Sequence, residues 1–220
     1  MSELKKEILR YLGYKSDKMG EVDPLIDSYI EDAVKLLREN CRPRHLWKRL
    51  PLKIDNGRSI CFDDGAMRVE SEKLAYNLRD CSEAAVMAAT LGVEADILIT
   101  KYSRRNISRG VIVEAAATAL IEEYCDMVQQ SIADELMKEG RYLRPRFSPG
   151  YGDFGISHQK DVMAILECPK RMGLTMTDGF MLTPTKSVTA VIGITEKNDK
   201  CSIKGCEACD KKDCEYRRNR

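Results

Sequence analysis

The chain has 220 residues, enough for one large domain or one domain with a small appendage, and its 43% hydrophobic and 32% charged content suits a soluble protein with a sizeable core. Lysine and arginine number 36 against 35 acidic residues, a net charge of +1, which argues against a protein that coats nucleic acid and leaves no overall field to draw the chain to an anionic membrane. No apolar run approaches the roughly 20 residues that cross a bilayer, and the opening MSELKKEILRYLGYK spreads charges where a signal peptide has an apolar core, so a cytoplasmic protein is expected.

Residues 2–12 read as a short amphipathic helix, with Leu4, Ile8 and Leu12 at spacing four. In the next helix Asp23 is placed to cap and Pro24 to take the first helical position. Leu25, Ile26, Ile30, Ala33, Val34 and Leu37 then line one face until Pro43 stops the run. Between residues 50 and 78 the pattern changes to strands. Leu52-Lys53-Ile54 and Ser59-Ile60-Cys61-Phe62 flank the hairpin signal Asp55-Asn56-Gly57, and Asp63-Asp64-Gly65 turns the chain before Met67-Arg68-Val69. AAVMAATLG (84–92) is ambiguous: its alanines favour helix, yet it is short, continuous and ended by glycine, as a buried strand is. Residues 93–103 read as helix.

Residues 107–139 form the clearest element, a long helix with apolar residues at Val111, Ala115, Leu120, Ile121, Tyr124, Val128, Ile132 and Leu136, closed by Gly140. A loop rich in Arg, Pro and Gly (141–155), a short helix (157–166) and a last strand (187–194) follow. Helices bracket a few strands without βαβ alternation, so the class is α+β. Composition shifts near Lys197, which divides the chain into a module of residues 1–197 and a cysteine-rich tail of residues 198–220.

The most informative segment is RPRFSPGYGDF (144–154), directly after the long helix. As plain structure it is a rigid connection: Pro149 fixes φ, Gly150 supplies a permissive dihedral and Tyr151 plugs the core. A second segment, GLTMTDGFMLTPTKSVTAVIGI (173–194), follows about thirty residues after it, with SHQKDVMAILE between them. RFSPGY resembles the R-x-x-P-G-Y signature of the activation domain of cobalamin-dependent methionine synthase. The second segment is similar to that family's other block, which runs from G-x-x-L/M-T through M-x-P to S-V and a closing strand. Ala119-Leu120-Ile121-Glu122 resembles the late part of its long helix. The resemblance covers roughly residues 80–195.

The resemblance implies a twisted, mainly antiparallel sheet with flanking helices that binds S-adenosylmethionine in a groove beside the R-x-x-P-G-Y loop. It also implies a cobalamin-carrying partner: a corrinoid protein, or a methionine synthase that lacks its own activation domain. On that partner, inactive cob(II)alamin is reduced and remethylated, with a flavodoxin- or ferredoxin-like protein as electron donor. The residue types suit the ligand. Arg146 is placed to meet the methionyl carboxylate through a bidentate pair. The backbone of Ser148 and Gly150, beside Pro149, is placed to read the adenine edge, and Tyr151 to offer a ring face near the sulfonium. Glu122 is either a ribose ligand or a solvated helix residue beside Glu123. Two family features are missing. The acidic residue for the ligand's amino group has only Asp23 and Asp27 as candidates, and the aromatic pair after the final strand gives way to GITEKNDKC.

Nine cysteines are present. Cys41, Cys61, Cys81, Cys125 and Cys168 lie far apart and read as small buried hydrophobes. Cys201, Cys206, Cys209 and Cys214 crowd the tail. The first three match the C-x₄-C-x₂-C part of plant-type ferredoxin spacing, zinc is chemically open as well, and ordinary thiols are the third reading. From Lys200 onward seven basic residues face four acidic ones, a charge suited to an acidic electron donor or simply to water. Two other functions compete: a stand-alone S-adenosylmethionine-dependent methyltransferase, or a metal-binding interaction module built on the tail. Against the first, the chain has no glycine-rich dinucleotide-type fingerprint, and His45 and His158 read as separate surface residues.

Overall fold

A computed structural model describes residues 1–14 and 22–198; the cysteine tail and its expected metal site lie outside the described residues. Two helices open the chain, α1 (Glu3–Tyr11) and α2 (Pro24–Asn40). Ser2 caps α1, and the Asp23 carboxylate caps α2 by accepting from the Leu25 N–H at 2.7 Å, ahead of Pro24 at the helix start. A meander follows: β1 (Arg44–Asp55), β2 (Ser59–Phe62) and β3 (Met67–Glu70), then the short helix α3 (Glu72–Asn77). Next come β4 (Cys81–Thr90), α4 (Val93–Arg105) and the long α5 (Ile107–Met137). The chain continues through β5 (Tyr142–Leu143), α6 (Gln159–Ile165), α7 (Cys168–Met172), the small hairpin β6 (Thr175–Met176) and β7 (Leu182–Thr183), and β8 (Ser187–Thr195).

Six strands form one sheet in the order β3-β2-β1-β4-β8-β5, every neighbouring pair antiparallel. Its two faces carry separate cores. Ala85, Met87 and Ala89 of β4 and Ala190, Ile192 and Ile194 of β8 pack against α1, α2, α4 and α5. Ala84, Val86 and Ala88, with Val191, meet α3, α6 and α7 on the other face. This resolves the ambiguity of AAVMAATLG: a central strand covered on both faces needs no polar alternation, and small side chains let helices approach on each side. The expected α+β class with a mainly antiparallel sheet and flanking helices is what the structure shows.

Other elements depart from the sequence reading. Strand β1 begins at Arg44, well before Leu52, because its first half pairs with β4 from Arg44↔Thr90 to Pro51↔Glu83. Its many basic residues hide a strand whose order comes from that partner. Helix α3 occupies the end of a stretch read as strands, and α7, β6 and β7 were not foreseen.

Helices α4 and α5 cross where Gly110 meets Ser103. A β-carbon at Gly110 would sit 2.6 Å from the Ser103 Cα and 2.8 Å from its N, backbone atoms that cannot swing aside. Gly110→Ala is therefore expected to destabilise the fold by about 1–3 kcal/mol, even though alanine gains about 1 kcal/mol in helix propensity. Urea unfolding measures the difference, and a midpoint raised by the alanine would contradict the close crossing.

Candidate functional site

The segment between β5 and α6 runs along the open edge of β8. Leu143 pairs with Ile194, the Arg144 N–H donates to the Gly193 carbonyl at 2.8 Å, and Phe147 exchanges two backbone bonds with Val191, both 2.9 Å. Four steps from Leu143 to Phe147 thus lie opposite three steps from Ile194 to Val191, so the edge carries one extra residue, a β-bulge at Pro145-Arg146. Proline, with no N–H to donate, is tolerated at such a place. The bulge changes which face each side chain meets. Leu143 packs with the α5-side core, whereas Phe147, four residues on, packs with the opposite one. Arg146, just before Phe147, is sent to the α5 side.

There its guanidinium, with only 16% of the side chain exposed, meets a polar stripe on α5. Nη1 donates to Asp126 Oδ1 at 2.7 Å and to Gln129 Oε1 at 3.1 Å, and Nη2 donates to Glu122 Oε2 at 3.2 Å. Residues 122, 126 and 129 are four and three apart and so share one helix face. Burial works against the charge of Arg146, but the hydrogen bond and charge of Asp126 and the charge of Glu122 favour it, and its pKa is raised. Below the guanidinium, burial pushes the Cys125 thiol up to about 12, so it stays neutral. Tyr11 of α1 borders the same charges: burial raises its phenol pKa, Arg10 lowers it, and Glu122 adds to the rise.

Beyond Phe147 the chain closes a tight loop. The Tyr151 N–H donates to the Ser148 carbonyl at 3.1 Å, the Phe154 N–H to the Tyr151 carbonyl at 3.0 Å, and the Gly150 N–H to the Phe154 carbonyl at 2.7 Å. Gly150 has φ +93°, and a β-carbon there would meet Ile156 Cδ1 at 3.0 Å, so the glycine is required by the turn. Pro149 is buried. Tyr151 does not plug the core: it is 63% exposed, and Phe154, at 1%, fills that place instead. The Asp153 carboxylate leaves the loop for α3, where it accepts from the Ser71 hydroxyl and from the N–H groups of Glu72 (2.7 Å) and Lys73 (3.3 Å). Partial burial would raise its pKa, but those hydrogen bonds prevail and hold it below the usual carboxylate range.

Of the five residues singled out from the sequence, the structure joins Arg146 directly to Glu122 and sets Ser148, Gly150 and Tyr151 in the loop that follows. Glu122 is no solvated bystander; its neighbour Glu123 turns away to pair with Arg38 at 3.0 Å. Asp23 caps α2 and Asp27 pairs with Lys5 of α1. Asp126, Gln129 and Asp153 were missed. The first two were legible as a polar stripe at helical spacing from Glu122, whereas nothing local marks Asp153 as a partner of residues 71–73.

His158 is half-buried rather than a plain surface residue. It stacks on Phe154 with ring centroids 5.5 Å apart, and its Nδ1 lies 2.7 Å from Asp161. His45, exposed, bonds the Tyr124 hydroxyl at 2.8 Å. Cys41, Cys125 and Cys168 are buried, as the sequence reading held, while Cys61 and Cys81 are half-buried; all five are free thiols. Burial pushes the thiols of Cys41 and Cys168 to about 11. Among the described residues no three or more His, Cys, Asp or Glu side chains converge on a place that could hold a metal ion, and no helix is long and apolar enough to cross a membrane.

Comparison with known proteins gives this geometry its context. The family described as vitamin B12 dependent methionine synthase, activation domain, matches residues 75–219. A search of curated proteins found no match. Among solved structures, the crystal structure of the MetH reactivation domain bound to AdoHcy superposes with a TM-score of 0.63 at 16% sequence identity, over 86% of this chain and 75% of that one. At that identity the likeness is one of fold. The match to the family model spans more than half of the sequence, and the chain belongs to the activation-domain family of vitamin B12-dependent methionine synthase.

Proposed function

We propose that the chain binds S-adenosylmethionine beside the RFSPGY loop and docks a cobalamin-carrying protein, assisting reductive remethylation of cob(II)alamin. The observation that carries this reading is the bulge that aims Arg146 across the sheet edge to α5, immediately before the loop of Ser148, Gly150 and Tyr151. The donor set fits the ligand. Glu122, Asp126 and Gln129 take three of the guanidinium's N–H groups, and of its five donors two remain for a carboxylate. One cation and two carboxylates give the cluster a local charge of −1, suited to a ligand with one carboxylate, one ammonium and one sulfonium. Exposed Tyr151 offers that sulfonium a ring face, worth about 0.5–2 kcal/mol.

In the reaction this supports, an external donor supplies one electron to the partner's cobalt, the methyl group passes from sulfur to cobalt, and S-adenosylhomocysteine leaves. The chain's own work is to bind and orient the sulfonium ligand. The reading places the protein in the cytoplasm with a corrinoid protein, or a methionine synthase lacking its own activation domain, and a flavodoxin- or ferredoxin-like donor. A stand-alone methyltransferase is less well supported, since the sheet is antiparallel and carries no βαβ nucleotide-binding unit among the described residues. Calorimetric titration with S-adenosylmethionine tests the binding claim: saturable one-to-one heat supports it, and no heat at millimolar ligand contradicts it.

The tail completes the proposal. We propose that Cys201, Cys206, Cys209 and Cys214 bind an iron–sulfur cluster or zinc. The first three carry the C-x₄-C-x₂-C spacing of plant-type ferredoxins, and a bound cation draws such thiols into the thiolate form that ligates it. Protein purified without oxygen is expected to contain iron or zinc. Replacing Cys206 and Cys209 with serine should remove the metal, whereas Cys41→Ser or Cys125→Ser should not. Truncation after Lys197 should also remove it while sparing S-adenosylmethionine binding, because β8 closes the core at Thr195. Background metal in protein never exposed to air or chelator would leave these cysteines as ordinary thiols.

A further inference from the structure

We infer that Asp153 is a positioning residue for the ligand loop: its carboxylate clasps the start of α3 and thereby sets residues 148–151. This rests on the reading of that loop as the S-adenosylmethionine site, but the clasp itself stands on geometry. Both carboxylate oxygens are engaged. Oδ1 accepts from the Ser71 hydroxyl, and Oδ2 from the Glu72 N–H at 2.7 Å; the Lys73 N–H lies 3.3 and 3.4 Å from the two oxygens. The Ser71 oxygen in turn accepts from the Leu74 N–H at 2.9 Å, so the residue that caps α3 also holds the loop. Gly152, at φ +57°, brings the chain so close to α3 that a β-carbon there would lie 2.7 Å from Lys73 Cδ.

The loop has two independent anchors, and they govern different residues. Arg146 lies between the Arg144–Gly193 bond and the Phe147–Val191 pair, so the sheet edge fixes it. Ser148 to Tyr151 lie beyond that edge. They are held by the loop's own three backbone bonds, by Phe154 in the core below, and by Asp153 at the far end. Tyr151 is exposed and two residues from Asp153, so the orientation of its backbone depends on the clasp more than on packing. Release of Asp153 should therefore loosen the part of the site that reads the nucleoside and sulfonium, and leave the carboxylate contact of Arg146 in place.

Two measurements on the full chain test this. Hydrogen exchange of the Gly150, Tyr151 and Phe154 amides in Asp153→Ala should accelerate about 10-fold or more, the effect of losing hydrogen bonds to a charged acceptor, while the Val191 amide stays unchanged. Titration with S-adenosylmethionine should show a Kd raised by a similar factor, with Asp153→Asn, which keeps one acceptor oxygen, in between. The double-mutant cycles then separate positioning from general damage. Asp153→Ala should add less than its full factor in a Tyr151→Ala background, where the sulfonium contact is already gone, but should add its full factor in Arg146→Ala. Unchanged exchange would refute the clasp. Faster exchange with unchanged affinity, or equal additivity in both backgrounds, would overturn the positioning role. Wild-type protein that does not bind S-adenosylmethionine would overturn the functional reading instead, and the exchange experiment would still decide whether Asp153 orders the loop.

Discussion

Arg146→Ala is expected to raise the Kd for S-adenosylmethionine by about 10- to 150-fold, the loss of a charge-assisted bidentate contact worth roughly 1.5–3 kcal/mol. The variant does more than delete a ligand contact. Glu122 and Asp126, four apart on α5, lose the cation between them, and two like charges at that spacing repel. Arg146→Lys separates the two effects. The ammonium restores the charge but not the planar fork, so stability should recover while affinity stays low. Isothermal titration, with urea unfolding beside it, reads both. Equal affinity in wild type and Arg146→Ala would remove this residue from the site.

Phe154→Ala is expected to cost about 3–5 kcal/mol of stability, the range for emptying a buried aromatic position. Phe154 is 1% exposed, its ring centroid is 6.3 Å from that of Phe147, and it stacks on His158. It is also the floor on which the loop closes, since its carbonyl accepts from Gly150 and its N–H donates to Tyr151. The cavity should therefore weaken ligand binding as well as lower the urea midpoint. Tyr151→Ala, at an exposed position, should leave the midpoint nearly unchanged. A loss below about 1 kcal/mol for Phe154→Ala would mean that the ring is not the core element of this loop.

The contrast between these two aromatics shows where sequence reasoning reached and where it stopped. RFSPGYGDF announced a rigid turn, and the turn is there, but Tyr151 points outward and Phe154 inward through the turn's own bonds and the positive φ of Gly150 and Gly152. The face that Phe147 meets depends on the bulge at Pro145-Arg146. A bulge is a mismatch between two strands far apart in sequence, and no local pattern in 144–154 records it. The long helix was legible because thirty residues of apolar periodicity overwhelm any single exception; Val111, counted with the apolar face, is exposed. β4 was open between helix and strand because a strand buried on both faces has no alternation to read. The first half of β1 was missed for a related reason, since its order comes from pairing with β4. Helix α3 is six residues long and is held by its Ser71 cap and by Leu74 and Ala75 in the core, too short for a helical period to show. At the site, Arg146 and Glu122 were named separately for different parts of a ligand. Their direct pairing emerged only once the edge strand was seen to lie beside α5.

Anaerobic remethylation, followed by visible spectroscopy, tests the central claim most directly. A corrinoid protein charged with cob(II)alamin is mixed with S-adenosylmethionine and a low-potential one-electron donor, with and without the chain. The account predicts conversion to the methylated cobalamin spectrum that depends on added chain, saturates with S-adenosylmethionine, and falls at subsaturating ligand when Arg146→Ala replaces the wild type. Conversion at the same rate without the chain, or an undiminished rate with Arg146→Ala at low S-adenosylmethionine, would contradict it.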